Sequence, residues 1–124
     1  MFQLGTLRGR AVLLRDHRAF DLAELTGDES LASPLQAVAR FSELHALSDQ
    51  LQTGSGSEFD VSELDAPIPQ PRQVFAIGLN YYEHAAESQM EPPPAPLTFT
   101  KFPSCIAAPN VKVELSGAFV DWEA

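Results

Sequence analysis

The stretch VFAIGLNYYEHAAE, residues 74–87, decides how the chain is read. Val74 to Ile77 is a short, wholly apolar run, the pattern of a buried strand. Gly78 closes the run and lets the backbone leave the strand sharply. Asn80 is suited to cap a short helix, with Glu83 completing a variant of the capping box. That helix carries His84 and Glu87 at i and i+3, so the two share a face. A carboxylate beside an imidazole fixes its tautomer and raises its basicity, which suits a general base acting on water. The same spacing also occurs on ordinary exposed helices, so on these residues alone both readings stand.

Downstream, Pro92, Pro93 and Pro94 stop the helix. Leu97 to Lys101 reads as a second strand. Lys101, at its end, can bind a carboxylate or polarise a carbonyl; equally, it can lay its stem on apolar surface and keep its ammonium wet. VKVEL alternates, with Val111, Val113 and Leu115 on one face, and predicts a third strand ended by Ser116-Gly117. The last piece, AFVDWEA, also alternates and sets Asp121 and Glu123 on one strand face. Two carboxylates there suit a hard divalent cation, or are simply an exposed charged face. Trp122 reads as a core anchor. Cys105 reads as a small, half-buried residue; it has no neighbour in sequence that would lower its thiol pKa.

Upstream, residues 2–25 read as a small antiparallel meander, with Gly9 as punctuation, a second extended piece from Ala19 to Leu25, and His17 in a solvated turn. Ser33, Pro34 and Gln36 give an N-cap, a first-turn proline and a capping box. Leu35, Val38, Phe41, Leu44, Leu47 and Leu51 then form one apolar stripe, which predicts a single helix stopped by Gly54. His45 lies at the stripe's edge as a packing residue. TGSGSEFD, residues 53–60, reads as a flexible linker, and APIPQPRQ after it as a stiff extended connector. The expected fold class is α+β. A small N-terminal α/β domain of short meander plus one helix occupies residues 1–70, and a β-rich region begins in residues 71–124.

The 124 residues carry 44% hydrophobic residues, enough for one modest core or for one small domain plus part of another. Eight Lys and Arg against seventeen Asp and Glu give a net charge of −9, which argues against nucleic acid and anionic membrane as partners. A single cysteine allows no intrachain disulfide. No signal peptide is read at MFQLGTLRGR, so the expected location is the cytoplasm.

Taken in order, G-x-N-Y-x-x-H-x-x-E (Gly78 to Glu87), F-x-K-x-x-S (Phe99 to Ser104) and V-D-W-E (Val120 to Glu123) resemble the start of the catalytic domain of the fumarylacetoacetate hydrolase family. The resemblance covers about residues 67–123. It implies a β-rich roll with short helices, usually a homodimer. It also implies an enzyme that uses Mg²⁺ or Mn²⁺ on a small 2-oxo acid or 1,3-diketone, as in acylpyruvates. Hydrolysis of a C–C bond is the expected reaction; hydration, decarboxylation or isomerisation are the alternatives on the same scaffold. His84 and Glu87 match the family's water-activating pair, Lys101 and Tyr81 its substrate-binding positions, and Glu123 its first acidic metal ligand. The family's pattern continues as E-x-E, whereas Ala124 follows Glu123 and ends the sequence. The expectation is therefore an N-terminal portion of a longer enzyme, or a non-catalytic remnant, inactive by itself.

Overall fold

The computed structural model describes residues 2–49, 51 and 55–118. The meander is present as three strands, β1 (Gln3–Leu7), β2 (Arg10–Arg15) and β3 (Arg18–Asp21). Both hairpin turns have two residues, and all four take positive φ: Arg8 at 51° and Gly9 at 78°, Asp16 at 50° and His17 at 60°. This is the handedness that matches strand twist, and it explains why Gly9 and the Asp-His pair sit there. His17 is exposed in its turn, as the sequence predicts.

Leu4, Leu13 and Phe20 lie opposite one another across the three strands. They form one apolar row on one face of the sheet. Leu13 and Phe20, with Ala11, Leu22, Leu31, Ala37, Leu44 and Leu51, make the core, and Phe2, Leu4 and Leu47 pack on its margin.

The extended reading of Ala19 to Leu25 holds only to Asp21. Helix α1 (Leu22–Thr26) begins there, because the Asp21 carboxylate accepts the N–H groups of Ala23 and Glu24 at 2.9 and 3.1 Å. A side chain that satisfies the first turn starts a helix in a short segment that alternation alone would continue as strand. A 3-10 turn at Glu29–Ala32 follows.

The single long helix is instead two, α2 (Pro34–Ala39) and α3 (Phe41–Ser48). The break is at Arg40, with φ −111° and ψ 26°. Its guanidinium donates to Asp28 at 2.6 Å and to Glu43 at 2.7 Å, tying the break to the preceding turn. Ser33 is the N-cap residue and Pro34 opens α2, but no side-chain capping bond forms, so the box with Gln36 is not made. The break turns Leu35, Val38 and Phe41 outward and puts Ala37 and Leu44 in the core. His45 is exposed, with its ring edge-on to Phe2 at 5.7 Å. Gly54, the expected stop, lies outside the described residues.

The linker reading is corrected in its second half. Ser57–Glu58 forms β4, which pairs with β3 and completes a four-stranded antiparallel sheet in the order β1-β2-β3-β4. Asp60 and Glu63 then close a capping box around a 3-10 turn. The chain continues along the free edge of β1, where Asp65 N–H donates to the Thr6 carbonyl and the Thr6 hydroxyl donates to the Pro67 carbonyl, both at 2.9 Å.

A second, two-stranded sheet follows, β5 (Val74–Gly78) antiparallel to β6 (Leu97–Lys101), with α4 (Tyr82–Glu87) in the connection. The run Val74–Ile77 is a strand but is not buried on both faces: Phe75 and Ile77 are exposed while Val74 and Ala76 are half-buried. VKVEL forms no strand, since an alternating segment without a hydrogen-bonding neighbour is only extended chain, and Val111, Val113 and Leu115 are exposed. AFVDWEA lies outside the described residues from Phe119 on, and with it Trp122. Among the described residues no helix is long and apolar enough to cross a membrane.

Candidate active site

The site is built on the β5–α4 connection. The sharp turn out of β5 is made by Leu79, at φ 51°, one residue later than Gly78. Extended backbone at Tyr81 (φ −122°, ψ 141°) then starts α4 without a side-chain cap. Tyr81, and not Asn80, is the N-cap residue. Glu83 therefore falls one position short of closing a capping box. The helix ends in a Schellman motif. Gln89 takes φ 54°, its N–H donates to the Ala86 carbonyl at 3.0 Å, and the Met90 N–H donates to the Ala85 carbonyl at 2.9 Å. The C-terminal end of α4 is thus closed by backbone hydrogen bonds ahead of the proline run.

On this helix Ala85 is buried, His84 half-buried and Glu87 exposed. The one-turn spacing of His84 and Glu87 keeps them on a common side of α4. Tyr81 and Tyr82 are exposed at the start of the helix. Lys101 is the last residue of β6 and pairs with Val74, whereas Leu97 pairs with Gly78. Its backbone therefore lies at the end of the hairpin opposite the one from which α4 leaves, roughly 13 Å along the strand. The pleat puts Lys101 on the same face as Leu97, Phe99 and the half-buried Val74 and Ala76.

Pro92, Pro93 and Pro94 read in the sequence as a helix stop, and Ala95 and Pro96 follow them. They also form one wall of a groove of about 350 Å³, whose other wall is Ile77 to Tyr82. A larger groove of about 750 Å³ lies by Arg8 and Arg10. Those arginines are already engaged, Arg8 by Glu63 and Arg10 by Asp21 and Glu29. Cys105 is exposed, not half-buried, at the end of a 3-10 turn that Pro103 starts.

Among the described residues no three His, Cys, Asp or Glu side chains come together as a metal site. Glu123 and Asp121 lie outside the described residues. The described part of the chain does not by itself make a site for Mg²⁺ or Mn²⁺.

No family model matches the chain. A mitochondrial oxaloacetate tautomerase, fahd2 of Xenopus laevis, is 38% identical over 61 residues, 48% of this chain and 19% of that protein. Its human counterpart FAHD2A is 38% identical over 60 residues, 47% of this chain and 19% of that protein. A fumarylacetoacetate hydrolase domain-containing protein 2 homolog of Dictyostelium discoideum is 46% identical over 48 residues, 39% of this chain and 15% of that protein. The crystal structure of an HpcE protein from Mycobacterium smegmatis superposes with a TM-score of 0.77 at 31% identity, covering 93% of this chain and 40% of that one. The chain is α+β and is homologous over about half its length to fumarylacetoacetate hydrolase domain-containing proteins. It spans about a fifth of the length of these curated relatives and two fifths of the HpcE chain.

Proposed function

We propose that this chain supplies the water-handling part of a fumarylacetoacetate-hydrolase-type enzyme that cleaves a C–C bond in an acylpyruvate-like 2-oxo acid. The observation that supports it is α4: a short helix set just beyond β5 and closed by a Schellman motif, carrying His84 and Glu87 one turn apart in a chain that resembles this family. In this reading one ring nitrogen of His84 takes a proton from water while Glu87 accepts the hydrogen bond of the other ring N–H. The oxygen attacks the distal carbonyl of the diketone. The C–C bond to the central carbon breaks, its electron pair leaves as the pyruvate enolate, and protonation gives pyruvate and a carboxylic acid. Lys101 donates a hydrogen bond to the substrate carboxylate or to the enolate oxygen, and Tyr81 contributes a further substrate contact. By the resemblance, Glu123 would contribute a carboxylate to Mg²⁺ or Mn²⁺, which would supply Lewis-acid stabilisation of the enolate. A small-molecule 2-oxo acid as partner, a homodimeric assembly and a cytoplasmic location belong to the same reading.

The names of the relatives favour a second reading, in which His84 moves a proton between carbon and oxygen of a 2-oxo acid as in a tautomerase. Parallel assays separate the two. Acetylpyruvate cleavage and ketonisation of enol-oxaloacetate are followed for the 124-residue chain and for the chain with whatever its reading frame adds after Ala124. The expected result is cleavage by the longer chain alone, reduced about a hundredfold or more by His84→Ala. Faster ketonisation than cleavage selects the second reading. Cleavage that survives His84→Ala undiminished overturns the assignment of the base, and a stop codon at that point leaves the remnant.

A further inference from the structure

The groove beside α4 carries information about the substrate. Its walls are Ile77 to Tyr82 on one side and Pro92 to Pro96 on the other, about 350 Å³ in all. No wall residue carries a charge, and the polar side chains are one amide, Asn80, and two tyrosines. The nearest charged residues in sequence are both acidic: Glu83 follows Tyr82 and Glu91 precedes Pro92. The lysine of the site is at the far end of the β5–β6 hairpin.

A carboxylate placed in such a groove loses water without gaining a cationic side chain. An apolar arm loses nothing comparable and gains contact with proline and tyrosine rings. The volume fits a small acyl or aryl group. The proline wall is also stiff, because each ring fixes φ and removes rotational freedom. Little ordering entropy is lost when an arm settles against it.

We infer that this groove receives the distal arm of the substrate and selects an uncharged, apolar arm over one that ends in a second carboxylate. The inference rests on the functional reading above and narrows it to acylpyruvates with alkyl or aryl arms. Dicarboxylic 2-oxo acids such as oxaloacetate, which the names of relatives carry, are disfavoured.

The test is a titration of the isotope-labelled 124-residue chain with benzoylpyruvate and, separately, with oxaloacetate, read by NMR. Benzoylpyruvate is expected to shift the amides of Leu79, Asn80, Tyr82 and Ala95. Half-saturation should come at a concentration at least tenfold below that for oxaloacetate. Asn80→Lys and Ala95→Lys put an ammonium on either wall at exposed positions. Each is expected to narrow that preference at least fivefold by improving oxaloacetate. Equal or tighter binding of oxaloacetate overturns the inference, and so does binding that leaves the groove amides unmoved. The imidazole signals of His84 report separately. If they respond while the groove does not, the arm site is wrong and the functional reading stands. If the groove responds and His84 does not, the arm site stands and the assignment of the base fails.

Discussion

Asp21 ends β3 and starts α1, and it also accepts two hydrogen bonds from Arg10, at 2.6 and 3.2 Å. The Arg10 bond, followed by the N–H groups of α1, holds its carboxyl below the usual range. Asp28 is held lower still, at about 2, first by the Ser30 hydroxyl and then by Arg40. Both folded values are depressed, so both carboxylates contribute stability in full above the ordinary aspartate value of about 3.9. That contribution is lost as pH falls through the folded values. The urea midpoint should be flat from about pH 7 to 5 and drop between about pH 4 and 2. Asp21→Asn should flatten part of the drop, and equal slopes for the two proteins would rule out Asp21 as a cause. At neutral pH, Asp21→Ala should cost about 1 kcal/mol through loss of the cap. Nothing in the sequence ranked Asp21 above the other aspartates, because its partner Arg10 is reached only when β2 and β3 pair.

Among the elements, α1, β4 and the split helix are those that local patterning missed. The close approach of β4 to β3 depends on Gly56. A Cβ there would sit 2.9 Å from the Ala19 carbonyl oxygen and 2.9 Å from Phe20 Cζ. Gly56→Ala should therefore destabilise by about 1–3 kcal/mol in urea titrations. Gly117→Ala, with open space around it, should change stability by less than about 0.5 kcal/mol. Equal effects would mean that the β3–β4 pairing adds nothing. In the helical region the apolar stripe named Leu35 and Val38, yet they are 39% and 46% exposed while Ala37 and Leu44 are fully buried. Leu44→Ala should cost about 2–5 kcal/mol. Val38→Ala should cost less than about 1 kcal/mol; a comparable loss at both positions would restore the single helix. Leu44 and Leu51 of the stripe are in the core, and Ala37, seven residues before Leu44, joins them although alanine is too weakly hydrophobic to mark the stripe.

Across the whole molecule, burial is uneven. The core gathers on one face of the four-stranded sheet, whereas Phe75, Phe99, Phe102, Val113 and Leu115 are exposed around and beyond the two-stranded one. The 124-residue chain should bind a hydrophobic dye and self-associate in sedimentation runs. Phe102→Asp with Val113→Asp should reduce both, and a dye-silent monomer would show that the surface is covered. By itself the sequence determined the meander, the two strands flanking the helix of His84 and Glu87, and the order of motifs that carries the family. Those features rest on side-chain alternation, helical spacing and residue type, which are local. Only the tertiary structure decided where a strand finds a partner, which face of a broken helix turns inward, and that a proline run walls a groove. Each of these depends on hydrogen bonds and contacts between residues far apart in the chain, which no local pattern contains.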